Sequence, residues 1–434
     1  DELLGPAGAP KSRQEICNSL GVRDGDGTDT NLNLHAVYPV YVKTAASTYE
    51  TRSMYEHVEG AGAIEAGAKF VKNAVLGSIK LLLCAPPDPS APTSTFASGF
   101  VWSQSPYGSY VADSSYSYNS SSSNLGGTGV DNTITQLSTG TYSVEFPGLG
   151  TETGGNVQVT AYGGSSERCK VGSWNSNGSA LTAIVYCHDT SGALVDTQFT
   201  ASYLRHPAGA PKGGATGGYV WANEATSDSY TPDPTYQWNA SGALNTIERS
   251  GVGNYWVTFP GVALNGGNAQ VTAYGWGSEY CNVGSWGSNV VNVTCFDTTG
   301  APADAQFTLN FSDNNPNVTP SYHYAWANEP WSESYTPSTY YQRGYLSSSC
   351  SFAGTMTMRR WSTGNYTASI PALSPTGSNV KVTAYGGSSN TCKVTGWYGS
   401  GDGTDVGIAC FNAAGEPVDT YFTIVYSSNQ YIIC

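Results

Sequence analysis

Histidine is the side chain that titrates nearest neutral pH, so proton-transfer chemistry is sought there first. His35, His57, His188, His206 and His323 are scattered, and no two stand at the same position of the internal repeats that fill most of this chain. The sequence holds no His-Glu-x-x-His zinc pattern, no Gly-x-Ser-x-Gly nucleophile turn and no glycine-rich phosphate loop with its lysine. Carboxylates do recur. Asp196, Asp304 and Asp419 precede the last strand of each repeat, while Glu224 and Glu329 follow an opening tryptophan. A glycosidase needs its pair of carboxylates once, at a set separation. A carboxylate needed in every repeat fits the capping of a turn, so these residues are expected to be structural and the chain not to be an enzyme.

Two other sets of residues have the types and spacing for binding. The run Asp24-x-Asp26-x-x-Asp29 places oxygen ligands at the spacing of Ca2+ loops. It departs from an EF-hand, with Thr28 at an acidic position and Asp29 at the glycine position. A Ca2+ site at Asp24, Asp26 and Asp29 therefore stands beside the plainer reading of an exposed turn, and no other cofactor is indicated. Trp174, Trp286 and Trp397 recur five positions after a cysteine, at opposite parity to it. A regular strand would turn them away from their own core, as platforms for a sugar or protein partner or as cover against the next repeat. Trp102, Trp221 and Trp326, which open the repeats, are expected in the core.

The elements that must position these residues follow from self-similarity. Val159-Thr160-Ala161-Tyr162-Gly163 returns at Val271–Gly275 and Val382–Gly386, and repetition of this kind outranks local propensity as evidence of fold. Around it each copy lays out seven or eight short alternating strands separated by Gly, Asn, Ser and Pro turns. The expected fold is mainly β, with three tandem disulfide-stapled β-sandwich (Ig-like) repeats at 98–204, 217–312 and 323–434. They follow a smaller mixed α/β N-terminal region, 1–90, in which apolar spacing predicts a helix over about 62–83. A proline-rich stretch at 85–92 reads as a linker.

The ten cysteines include no Cys-x-x-Cys, and their places in the repeats point to disulfides. Cys169 pairs with Cys187, Cys281 with Cys295 and Cys392 with Cys410. Each closes a loop of about 15–20 residues, for which chain entropy gives about 3 kcal/mol. Elimination leaves Cys17 with Cys84 and Cys350 with Cys434. Disulfides imply an oxidising compartment, and the polar opening Asp1-Glu2-Leu3-Leu4-Gly5-Pro6 reads as the start of a mature exported form. Sequons stand at Asn119, Asn177, Asn239, Asn292, Asn310, Asn317 and Asn365; alternation turns Asn292 and Asn310 away from the core.

Among the 434 residues, 18 Lys and Arg face 32 Asp and Glu, a net charge of −14 without any basic cluster, which repels a phosphate backbone. The most apolar run, Ala74–Cys84, is far shorter than the ~20 residues that span a bilayer. Nucleic acid and membrane insertion are thus not expected. The segments Tyr219-Val220-Trp221-Ala222-Asn223, Phe259-Pro260-Gly261, Gln270-Val271-Thr272-Ala273-Tyr274-Gly275 and Cys295-Phe296-Asp297 resemble repeats of secreted β-rich proteins of soil bacteria. That resemblance covers about 98–434 and implies export and repetition, with no activity attached. The expected function is a secreted structural or adhesive surface protein, self-associating through exposed strand edges and the tail 1–16. The alternatives are a carbohydrate-binding repeat protein and a secreted hydrolase. Expected partners are further copies of the chain, as an oligomer or filament, or surface glycans.

Overall fold

Alternating apolar and polar residues, broken every few positions by glycine or proline, make the described part of this chain mainly strand. The computed structural model describes residues 39–45, 48–53, 96–121, 131–206, 216–313, 321–343, 355–371, 373–401 and 403–428. Cys17, Cys84, Cys350, Cys434, Asp24, Asp26, Asp29 and the helix expected over 62–83 lie outside them. The chain divides into two units, residues 1–93 with 432–434, and residues 94–431. In the first, β1 (Pro39–Ala45) and β2 (Thr48–Ser53) form an antiparallel hairpin.

Among the described residues the second unit holds three repeats of nine strands. Repeat 1 comprises β3 (Ala97–Trp102), β4 (Ser109–Val111), β5 (Tyr118–Asn119), β6 (Thr133–Ser138), β7 (Thr141–Pro147), β8 (Asn156–Tyr162), β9 (Arg168–Ser176), β10 (Ala180–His188) and β11 (Gln198–Arg205). Repeat 2 comprises β12 (Thr216–Ala222), β13 (Ser229–Tyr230), β14 (Gln237–Asn239), β15 (Thr246–Gly251), β16 (Asn254–Thr258), β17 (Asn268–Tyr274), β18 (Tyr280–Gly287), β19 (Val290–Phe296) and β20 (Gln306–Asp313). Repeat 3 comprises β21 (Ser321–Ala327), β22 (Ser334–Tyr335), β23 (Gln342–Arg343), β24 (Thr357–Ser362), β25 (Asn365–Pro371), β26 (Ser378–Ala384), β27 (Thr391–Ser400), β28 (Gly403–Phe411) and β29 (Phe422–Ser428).

All three share one topology. The third, first, ninth and sixth strands form one antiparallel sheet, and the second, fourth, fifth, eighth and seventh form another. In repeat 2 both sheets feed one core, in which Val220, Val271, Phe307, Leu309 and Phe311 of the first meet Ile247, Tyr255, Val257, Val283 and Val291 of the second. The strand order, which the sequence leaves open, differs from that of an immunoglobulin domain. Leaving out the two very short strands, an immunoglobulin domain would place its first, second, fifth and fourth strands in one sheet; here the first, seventh and fourth share a sheet. Alternation tells which face of a strand is buried, not which sheet the strand joins. The three described disulfides fall as expected, each joining directly opposed residues of the seventh and eighth strands: Cys169–Cys187, Cys281–Cys295 and Cys392–Cys410.

The repeats are closed on one another rather than strung out. Tyr274 of β17 pairs in parallel with Val171 of β9, Tyr162 of β8 with Val394 of β27, and Tyr385 with Val283 of β18. At each meeting a glycine amide donates across: Gly275 to Val171 O at 2.9 Å, Gly163 to Val394 O at 2.9 Å, and Gly386 to Val283 O at 2.8 Å. Repeat 2 thus continues into repeat 1, repeat 3 into repeat 2, and repeat 1 into repeat 3. The sixth and seventh strands, long edges in an isolated repeat, are used up in these junctions. Among the described residues no helix is long and apolar enough to cross a membrane.

Candidate functional site

The sixth strands, β8, β17 and β26, carry the repeated Val-Thr-Ala-Tyr sequence to the axis where the repeats meet. Alternation sends Val157, Val159 and Ala161 one way and Asn156, Gln158 and Thr160 the other, yet the polar set is no more exposed, at 1%, 2% and 6%. Their surroundings are the other two repeats. Thr272 Oγ1 donates to Gln158 Oε1 at 2.9 Å and accepts from Val159 N at 3.2 Å. One repeat further on, Thr383 Oγ1 donates to Gln270 Oε1 at 2.9 Å and accepts from Val271 N at 3.4 Å. Gln158 Nε2 donates to Asn156 Oδ1 and Thr308 Oγ1, as Gln270 Nε2 does to Asn268 Oδ1 and Thr423 Oγ1. The third junction has Lys381 where the others have glutamine. Its ammonium donates to Ser202 Oγ at 2.9 Å, and burial pushes its pKa down to about 8. Thr160 Oγ1 there accepts from Val382 N at 3.3 Å, and Asn379 Oδ1 is buried with no hydrogen-bond partner among the described residues.

The recurrent tryptophans lie at the same junctions. Trp174 meets Trp221, Tyr236 and Tyr274 of repeat 2 with ring centroids 5.8, 5.6 and 5.6 Å apart. Trp286 meets Trp326, Tyr341 and Tyr385 of repeat 3, and Trp397 meets Trp102, Tyr116 and Tyr162 of repeat 1. Trp174 and Trp397 are only 7% exposed. A regular strand would have turned them outward. A β-bulge intervenes between cysteine and tryptophan in every repeat, leaving Gly172, Gly284 or Thr395 unpaired, and the extra residue reverses the parity of all that follow. Trp102, Trp221 and Trp326 correct the expectation of core residues: Val220 and Ala222 face the core of repeat 2, while Trp221 between them packs against that of repeat 1. Trp174 and Trp286 each donate an indole N–H to a carbonyl, Gly154 O at 3.1 Å and Gly266 O at 2.7 Å. Trp397 Nε1 has no hydrogen-bond partner among the described residues.

On the same axis, beside the disulfides, lies a cavity of about 70 Å3. Charged side chains from successive repeats line it. Lys170 Nζ lies 3.5 Å from Glu279 and donates to Gly277 O at 2.8 Å; Lys393 Nζ donates to Glu167 at 3.1 Å. Both lysine side chains are 4% exposed. Burial lowers Lys170 to about 8 against the opposing pull of Glu279. It lowers His188 to about 4, with Lys170 and Arg168 adding to the effect, so this imidazole is neutral at physiological pH. Arg168 lies over the Tyr280 ring at 4.2 Å.

The recurrent aspartates hold hairpins. Asp196, Asp304 and Asp419 accept the amides of Gly140, Gly253 and Gly364 at 2.7, 2.8 and 2.9 Å, and the hydroxyls of Tyr142, Tyr255 and Tyr366. Arg249 grips Asp304 with two bonds of 2.8 Å and holds its carboxyl below the ordinary range. Each of these glycines has positive φ, and a Cβ would come within 2.7 Å of a cysteine carbonyl, so the position admits no side chain. Glu224 and Glu329 accept from Ser227 and Ser332 in exposed turns. Of the sequons, Asn119, Asn239 and Asn292 are at most 9% exposed with their Nδ2 groups already donating. Asn292 does turn away from the core that Val291 and Val293 enter, yet it is covered rather than exposed, because its amide sits over the bulge glycine Gly284. Among the described residues no group of three His, Cys, Asp or Glu side chains is placed to hold a metal.

Sequence reasoning gave the axial Asn, Gln and Thr no role. A signal was present: a solvated face has no need of Asn-x-Gln-x-Thr in two repeats and Asn-x-Lys-x-Thr in the third. In comparisons with models of protein families, with curated proteins and with solved structures, nothing matches this chain.

Proposed function

We propose that the chain is a secreted, non-catalytic structural or adhesive surface protein, in which three β-sandwich repeats act as one rigid head. The closed polar ring at the axis carries this reading, because it ties every repeat to both others through buried hydrogen bonds. A part that must keep its shape outside a cell benefits from such closure and from cross-strand disulfides. Edge-to-edge polymerisation gains no support from the repeats: among the described residues their remaining outer edges are the second and third strands, only two or three residues long. Contacts with a surface or another copy then run through side chains. Trp331, Tyr340, Trp361 and Tyr398 of repeat 3 are 61%, 57%, 60% and 59% exposed, beside Trp276 and Trp256 of repeat 2 at 85% and 41% and Tyr107 of repeat 1 at 64%.

That aromatic concentration also favours a second reading, carbohydrate binding. Trp331 stands edge-on to Tyr421 at 5.2 Å, and flat aromatic faces suit the apolar faces of sugar rings. The test is adhesion to cell surfaces and binding to a glycan array, with wild type beside a Trp331→Ala, Trp361→Ala double variant. Loss of adhesion in the variant is expected; unchanged adhesion would contradict the use of repeat 3. Saturable binding of a defined glycan, lost in the variant, would select the second reading.

A further inference from the structure

The outer face of the second sheet of repeat 3 carries an inference that rests on the carbohydrate reading and sharpens it. Residues paired across neighbouring strands point to the same side of a sheet, so the registers of β24, β25, β28 and β27 define this face. One row runs Thr357, Ser369, Asp405, Tyr398, and the next Arg359, Thr367, Gly407, Gly396. Trp361, the bulge residue that follows on β24, comes to the same side. Its Nε1 donates to Thr367 Oγ1 at 2.8 Å, and the Arg359 guanidinium lies over its ring at 3.6 Å. Four strands at a spacing of about 4.8 Å make a row about 14 Å wide, which suits a chain of sugars better than a single ring.

The other two repeats lack this arrangement. In place of Arg359 and Trp361, repeat 1 has Thr135 and Leu137 and repeat 2 has Glu248 and Ser250; in place of Tyr398 they have Asn175 and Gly287. At the centre, Gly407 stands where Ile184 and Asn292 rise, so the middle of the face is low between an Arg–Trp rim and a tyrosine rim. Two repeats fold without these side chains, and the fold does not call for them. The charge of Arg359 is likewise unspent. Arg205, Arg249 and Arg360 each hold a carboxylate, whereas the exposed Arg359 makes no ion pair among the described residues, in a chain whose net charge is −14.

We infer that this face binds an acidic polysaccharide, a polymer of uronic acids. The planar fork of Arg359 matches a carboxylate, and the exposed rings of Trp361 and Tyr398 suit the apolar faces of sugars. Asp405, two strands from Arg359 and beside Tyr398, takes hydroxyls, so the acid group of the ligand belongs at the Arg359 end.

Calorimetric titration of the full chain with polygalacturonate, with its methyl ester and with dextran, at two salt concentrations, tests this. Polygalacturonate is expected to bind about tenfold or more tighter than either uncharged polymer and to weaken as salt rises. The variants Arg359→Glu, Trp361→Ser and Tyr398→Asn each install a residue that another repeat carries at that place, and circular dichroism checks that they fold. Arg359→Glu should abolish the preference for the free acid, while Trp361→Ser and Tyr398→Asn weaken binding of all sugars alike. Equal binding of polygalacturonate and its methyl ester, or undiminished affinity in folded Arg359→Glu, overturns the inference and leaves the carbohydrate reading standing. Binding of none of the three polymers overturns the inference, and a blank glycan array beside it removes the carbohydrate reading as well.

Discussion

Two of the three junctions around the axis are closed by glutamine and the third by lysine, and the difference shows what the ring requires. Gln158 and Gln270 each accept a threonine hydroxyl from the next repeat while donating to an asparagine and a threonine. An amide can do both. Lys381 can only donate, so Thr160 loses its acceptor side chain and Asn379 Oδ1 loses its donor. The same junction leaves Trp397 Nε1 unpaired, where Trp174 and Trp286 reach a glycine carbonyl. The junction between repeats 3 and 1 is also the one that closes the cycle, joining segments more than 200 residues apart in the chain. The repeats therefore tolerate imperfection at one junction of three, and that junction is expected to open first.

Threonine substitution should separate the junctions most strongly. Thr272→Val strands Gln158 Oε1 and the Val159 amide in a dry interior and is expected to cost about 3 kcal/mol, whereas Thr160→Val strands one amide at about 1 kcal/mol. Denaturant unfolding of both variants measures the gap; equal losses would erase the distinction between junctions. The reverse experiment is Lys381→Gln. It supplies the missing acceptor and donor and removes a buried charge, and is expected to raise stability by about 2 kcal/mol. A destabilised Lys381→Gln variant would mean that the ammonium has a role the hydrogen bonds do not reveal.

Lysine burial also sets a pH dependence. Lys381 and Lys170 have folded pKa values of about 8, below the ordinary lysine value of 10.5. Between these limits each of these lysines binds more protons in the unfolded chain than in the folded one, so its contribution to stability rises with pH. A gain of about 1.5 kcal/mol per lysine is expected between pH 8 and 9.5, the two-lysine gain being roughly halved in Lys381→Gln. Thermal unfolding across that range reads it, and identical profiles for the two proteins would exclude Lys381 as a source. The smallest effect is that of an indole hydrogen bond: Trp174→Phe should cost about 1 kcal/mol more than Trp397→Phe. Parallel melts compare them directly, and a larger loss at Trp397 would contradict its unpaired state.

Much of this arrangement is legible in the sequence, because repetition reveals whatever is needed three times. The cysteine pairs Cys169–Cys187, Cys281–Cys295 and Cys392–Cys410, the core alternation of the sixth strands and the turn role of Asp196, Asp304 and Asp419 all follow from position within a repeat. What period-2 reasoning misses is a change of period. One residue inserted at Gly172, Gly284 or Thr395 reverses a tryptophan, and a bulge has no signature beyond a glycine that repeat 3 does not keep. The exchange is compensated across the strands: Thr395 lies over Gly407, where repeats 1 and 2 pair Gly172 with Ile184 and Gly284 with Asn292. Ring closure was hidden for another reason. Alternation separates the two faces of a strand but cannot say whether the polar face meets water or another polar face.

Hydrogen exchange at the Val159, Val271 and Val382 amides tests closure most directly, since each donates across a different junction. All three should be protected in the native protein, with Val382 exchanging fastest and becoming slower in Lys381→Gln. Exchange of Val382 at the rate of a free amide, with Val159 and Val271 still protected, would mean an open row of repeats and would contradict the ring.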